Sequence, residues 1–181
     1  LSQRRGRCAA RLNSGVSPHK QMLKLSKAYG AKWLSAFGKR ELQYNERLWR
    51  PIEESHSPGD MLFGLIDPTD GSSFLIRIEA LEGADSFSDQ ELCDELLDPY
   101  LEDAFQAADY CDLALEVSGI SFSGFSLRIT NPKFGDQYLQ LLFARDGELI
   151  TILQFSWPVA LTDESSSLPI KHLGLLQGLS L

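Results

Sequence analysis

The chain is poor in the residue types that most often carry chemistry. Its 181 residues include three cysteines, three histidines and two methionines. Cys8, Cys93 and Cys111 are odd in number and widely spaced, with no CxxC pair. That excludes a redox or zinc-ribbon motif and favours free thiols in a reducing cytoplasm. His19, His56 and His172 show neither HxxxH nor HExxH spacing, so no zinc site is expected. There is no GxSxG elbow, and Cys93 or Cys111 as a nucleophile lacks a recognisable partner. Gly119 to Gly124 lacks the Lys-Ser/Thr that follows in a Walker loop. No apolar run approaches the roughly 20 residues a membrane helix needs. The Arg4-Arg5 pair of an export signal is followed by Arg7, Arg11 and Asn13 where an apolar stretch belongs, and Cys8 lacks the apolar lead of a lipoprotein site. Neither membrane insertion nor a cofactor is expected.

What is present is an ordinary globular composition, 43% hydrophobic and 23% charged, in a chain long enough for one domain with a sizeable core. Charge is divided along it. Residues 1–50 hold 12 Lys and Arg against Glu41 and Glu46, a net of +10; the rest holds 5 against 23 acids, a net of −18. The basic stretch could meet phosphate, but the acidic body would repel it, and no recognition motif accompanies the charge. No nucleic-acid partner is expected. Residues 1–21 show no apolar period and are expected to be disordered or a non-native extension, with residues 22–181 forming a single domain.

Within that domain, Met22, Leu25, Tyr29, Trp33 and Phe37 recur at helical spacing up to Gly38. Leu42 to Ile52 reads as a strand. Met61 to Ile66 and Phe74 to Ile78 read as two strands joined by a turn of Asp, Pro and Gly. Ser88 with Glu91 forms a capping box that opens a long helix with Leu92, Leu96, Tyr100, Ala104 and Phe105 on its buried stripe, bent at Pro99. Leu113 to Phe122 and Phe125 to Thr130 follow as strands. In the second, Phe125, Leu127 and Ile129 point inward and Ser126, Arg128 and Thr130 face water. A C-terminal helix carries Leu168, Leu173, Leu176 and Leu179, weakened by Gly174 and Gly178.

The segment from Tyr138 to Trp157, YLQLLFARDGELITILQFSW, is the most informative stretch. Asp146-Gly147 between β-branched and aromatic runs signals a hairpin. With those two residues as the loop, Arg145 faces Glu148, Phe143 faces Ile150 and Leu141 faces Ile152. Tyr138 then faces Phe155, and Leu142 faces Thr151, on the other side. Both faces are apolar, so both must be covered. The Ser88 helix is expected over Leu141, Phe143, Ile150 and Ile152. The second face, Tyr138, Leu149, Leu153, Phe155 and Trp157, has weaker intrachain covers. Part of it is expected to line a groove for a partner segment or a second copy of the chain.

The order of elements predicts an α+β fold: an antiparallel sheet of about six to seven strands with helices packed on both faces. The run from Trp49 to Pro158, with the strand pair around Gly119 to Ile129 and the terminal ARDGELITILQFSWP, resembles the PsbP/Mog-type superfamily of α-β-α sandwiches. That superfamily includes an extrinsic photosystem subunit, a Ran-binding import factor and bacterial chaperones for type VI secretion effectors. The resemblance implies a non-enzymatic protein-binding module, an adaptor or a chaperone-like protein of the kind that serves a secreted effector. It transfers no specific binding residue. The acidic run on the capped helix, with Asp94, Glu95 and Glu102, offers a docking face for a basic partner, although such runs are commonly plain solvated surface.

One motif points elsewhere. Asp67-Pro68-Thr69-Asp70-Gly71-Ser72 resembles the DPxDG[ST] signature of inositol-monophosphatase-like enzymes. That resemblance implies Asp67, Asp70 and Glu54 as Mg²⁺ ligands and the Gly71-Ser72 backbone as a phosphate cradle, in a phosphomonoesterase mechanism. The later WD-type motif of that family is missing. The same residues are also what a tight turn uses, and the turn reading is preferred.

Overall fold

A computed structural model describes residues 30–34, 40–52, 62–80, 86–92, 94–95, 111–147 and 149–181. Among the described residues, ten strands run in chain order: β1 Gly30–Leu34, β2 Glu41–Asn45, β3 Arg50–Pro51, β4 Leu62–Ile66, β5 Ser73–Ala80, β6 Cys111–Val117, β7 Ile120–Asn131, β8 Gly135–Asp146, β9 Leu149–Pro158 and β10 Leu179–Ser180. A helix, α1 Ile170–Gly178, precedes β10. Seven strands form the main sheet in the order β3-β4-β5-β9-β8-β7-β6, and every pairing is antiparallel. A second sheet has the order β1-β2-β10.

The predicted antiparallel sheet is present at the upper end of the expected strand number. Among the described residues, helices do not cover both of its faces. One face is covered by the small sheet together with α1, joined in one core: Leu42 and Trp49 from around β2, and Leu175 and Leu179 from the C-terminal segment, pack with Phe63, Phe74, Ile76, Leu142, Leu153, Phe155 and Trp157. The opposite face carries Phe125, Leu127, Leu139, Leu141, Phe143, Ile150 and Ile152, with Leu92 packed into the same cluster. Leu92 follows the Ser88 box, in which Glu91 Oε2 accepts from Ser88 N at 2.7 Å and Ser88 Oγ accepts from Glu91 N at 3.2 Å. Helical residues there are 89–92 and 94–95; the rest of the expected long helix, including Leu96, Pro99 and Tyr100, lies outside the described residues.

Several local expectations are corrected. Gly30–Leu34, read from apolar spacing as helical, is a strand because it pairs with β2 from Gly30–Asn45 to Leu34–Glu41; sheet pairing overrides a weak helical period. Leu42 to Ile52 is not one strand. Asn45 turns the chain, its carbonyl accepting from Leu48 N and Trp49 N and its side-chain Oδ1 from Arg47 N. The two halves thereby enter different sheets. The turn between β6 and β7 falls at Ser118-Gly119, both with positive φ (54° and 80°), and β7 continues unbroken through Gly124. Gly124 serves close approach, since a Cβ there would lie 1.9 Å from the Leu141 carbonyl oxygen.

The β8–β9 hairpin pairs Asp146 with Leu149, Phe143 with Ile152, Leu142 with Leu153 and Tyr138 with Trp157. The strands therefore pair through Asp146 and Leu149, and the loop opens at Gly147, one position later than the expected Asp146. Gly147 supplies the positive φ (61°) that such a loop requires. Partners shift by two positions, an even slip, so every side chain keeps its predicted face. Ser126, expected in water, is buried and shares a 2.9 Å hydrogen bond with Ser165 Oγ. With both faces of the sheet covered, alternation no longer separates inside from outside.

Candidate functional site

The β4–β5 turn holds the one motif that suggested chemistry. Its backbone closes through Asp67 N to Ser72 O (2.8 Å) and Gly71 N to Asp67 O (2.9 Å). Asp67 Oδ1 accepts from Thr69 N and Thr69 Oγ1, and Asp70 Oδ1 accepts from Ser72 N. Gly71, at φ +76°, sits where a Cβ would strike the Phe134 ring, and its carbonyl accepts from Gln137 Nε2. The backbone of this sequence and one oxygen of each aspartate are thus used by turn geometry.

The remaining carboxylate oxygens converge on a cation of the same chain. Lys171, in the first turn of α1, places Nζ 2.9 Å from Asp67 Oδ2 and 2.5 Å from Asp70 Oδ2. Lys171 also lies over the Trp49 ring at 5.7 Å. The Asp67 side chain is only 3% exposed, against 29% for Asp70. Burial works to raise the Asp67 pKa, but hydrogen bonds from Lys171 and Thr69 and the charge of Lys171 outweigh it and hold the carboxyl below its usual range. The ammonium occupies the place between the two carboxylates where the phosphatase resemblance would put Mg²⁺. Glu54, the third ligand of that reading, lies outside the described residues. Among the described residues no group of three His, Cys, Asp or Glu side chains is gathered as a metal site.

His172, the next residue, is fully buried among Trp49, Phe155 and Trp157, with ring centroids 5.2, 5.7 and 5.7 Å away. Its Nε2 lies 3.0 Å from the Ser73 carbonyl, so the neutral ring donates from Nε2. Its Nδ1 is buried with no hydrogen-bond partner among the described residues. Burial pushes its pKa down to about 4; the Ser73 bond opposes this, Lys171 adds to it, and Asp70 and Asp67 oppose it. Sequence reading set His172 aside as isolated. It is isolated from other ligands, but it is the polar centre of the core. Its distance in sequence from Ser73 and Trp49 left no local signal for that role.

A small cleft opens beside Lys171, lined by Gln43, Tyr44, Asn45, Leu48, Trp49, Gly174 and Leu175, with about 20 Å³ of water-accessible space. That is room for a water molecule or so, far below the several hundred Å³ of ordinary ligand pockets.

The apolar face proposed as a groove is largely closed by the chain itself. Leu153, Phe155 and Trp157 are fully buried beneath Trp49, His172 and Leu175, and Trp157 Nε1 donates to Thr162 Oγ1 at 2.8 Å. Leu149 and Tyr138 are half-buried against the same core. Three of the five residues are therefore buried in this arrangement, where Trp49 and the segment after β9 pack over them. The acidic positions behave differently. Asp94 and Glu95 are exposed, as are Asp89 and Glu91 one turn earlier. Asp89 pairs with Arg145 at 3.0 Å and Asp94 accepts from Gln90. Glu102 lies outside the described residues.

No protein-family model matches the chain, and no curated protein does. Among solved structures, one from Bacteroides thetaiotaomicron VPI-5482 superposes with a TM-score of 0.51 at 12% identity, over 84% of this chain and 48% of that one. The chain thus spans about half the length of that structure. The solution structure of a cyanobacterial PsbP (CyanoP) from Synechocystis sp. PCC 6803 gives a TM-score of 0.49 at 13% identity, over 85% of this chain and 93% of that one. The Bacteroides likeness is one of fold alone. No helix among the described residues is long and apolar enough to cross a membrane.

Proposed function

We propose that the chain is a non-enzymatic protein-binding module, adaptor-like or chaperone-like, of the PsbP type suggested by its strand order. Its partner is a basic segment of another protein. The observation that carries this reading is the exposure of Asp89, Glu91, Asp94 and Glu95 on a turn anchored from beneath by buried Leu92. An acidic surface held on a fixed core steers a basic partner into place, with an affinity that falls as salt rises. The test is binding of a lysine-rich peptide by the intact chain and by an Asp94→Lys, Glu95→Lys variant, with a neutral peptide as control. Salt-sensitive binding that the variant loses supports the reading. Equal binding by both chains, or none by either, removes it.

The metal-dependent phosphomonoesterase reading is favoured by one observation, that Asp67 and Asp70 do converge. It is opposed by the Lys171 ammonium lying between them. Mg²⁺-dependent phosphate release that disappears in Asp70→Asn would reinstate it.

A further inference from the structure

Arg40, immediately before β2, is buried at 5% exposure. Its Nε and Nη1 are enclosed and have no hydrogen-bond partner among the described residues. Among the described residues it pairs with Asp146 near the β8–β9 tip, whose Oδ2 lies 4.0 Å from Nη2 and whose side chain is 83% exposed to solvent. Lys171 shows the contrast: its charge is met by two carboxylates in direct contact. A guanidinium presents five N–H donors in a rigid plane, and removing them from water without acceptors is costly. One distant, solvated carboxylate does not compensate such a group.

We propose that Arg40 anchors a site for a small oxyanion, a phosphate or a carboxylate, bound between β2 and the β8–β9 tip. The guanidinium fork matches a pair of anionic oxygens and would satisfy the enclosed nitrogens. Asp146 opposes an incoming anion. Its exposed side chain can swing into water as the anion enters, which makes it a competitor rather than a barrier.

The test is thermal unfolding of the full chain in sodium phosphate or sodium acetate, against sodium chloride at equal ionic strength. The wild type is expected to show a saturable rise of about 2–4 °C with at least one of these anions. Arg40→Met should lose the saturable part and keep only the general salt response, while Asp146→Asn should reach saturation at lower anion concentration. A response to phosphate alone assigns a phosphoryl ligand; a response to both anions admits a carboxylate. If Arg40→Met does not fold, the wild type and Asp146→Asn decide between them. Absence of saturation in both, or the same curve in wild type and Arg40→Met, overturns the site.

Discussion

Lys171 and Asp67 stand 104 positions apart in sequence and 2.9 Å apart in space, and their contact ties α1 to the β4–β5 turn. This pair, with Asp70, fixes the C-terminal segment over the face of the sheet that holds Trp157 and Phe155. The same ammonium fills the position that the DPTDGS motif would otherwise offer to a metal.

Removing the cation should therefore be costly. Lys171→Met leaves Asp67 buried beside an uncharged group, and breaking such a pair from one side costs roughly 3–5 kcal/mol. Asp70 is partly solvated and Lys171 would keep Asp67, so Asp70→Asn is expected to cost less than about 1 kcal/mol. Urea unfolding measures both. Millimolar Mg²⁺ should leave the melting temperature of the wild type unchanged. A clear Mg²⁺-dependent rise would show that the cluster opens to a metal after all.

His172 should make the fold acid-sensitive. Its folded pKa of about 4 lies below the ordinary 6.5, so the unfolded chain takes up a proton that the folded chain refuses. The stability tied to the neutral ring is complete above about pH 6.5 and is lost as pH falls towards 4, by roughly 3 kcal/mol in all. The neighbouring Asp67, whose pKa is also lowered, adds a loss of the same sign below its unfolded value of 3.8. Unfolding midpoints at a series of pH values between 7 and 4 should fall steadily for the wild type and less steeply for His172→Phe. Parallel slopes in the two chains would assign the sensitivity to other groups.

The two helix glycines should behave oppositely. A Cβ at Gly174 meets nothing within 4 Å, so Gly174→Ala is expected to stabilise by about 0.5–1 kcal/mol through helix propensity alone. At Gly178 a Cβ would lie 2.1 Å from the Gln43 carbonyl oxygen, where α1 runs into β10 alongside β2. Gly178→Ala should cost about 1–3 kcal/mol by forcing those elements apart. Chemical denaturation of the two variants separates a propensity effect from a packing effect, and a stabilised Gly178→Ala would contradict the close contact.

Much of the sheet is legible in the sequence. The alternation in Phe74, Ile76 and Ile78, the double-sided apolar run of β8 and β9, and the Ser88 capping box are local patterns, and each is present. Turn placement was less secure. Glycine marks a turn region, but Ser118-Gly119 and Ser123-Gly124 carry the same local signal, and only the approach of Leu141 explains why the second pair stays extended. For the Phe155 face the sequence offered only the segments around Trp33 and Leu173 as covers, without deciding between them and a partner. His172, Leu175 and Leu179 reach it from the far end of the chain, and the period of α1 alone does not say which face of the sheet it will meet.

Local patterns in the chain are enough for an antiparallel sheet with two apolar faces, the turn chemistry of Asp67 to Ser72, and the side of the sheet on which each hairpin residue lies. These follow from period, propensity and backbone geometry, which act between near neighbours. Contacts between distant parts of the chain set the rest: Gly30–Leu34 pairs as a strand, Lys171 neutralises Asp67 and Asp70, His172 is buried neutral, and two Arg40 nitrogens are enclosed with no hydrogen-bond partner among the described residues. Each of these depends on groups distant in sequence meeting in a low-dielectric interior. There, the energy of a charge or a hydrogen bond is set by its neighbours in space.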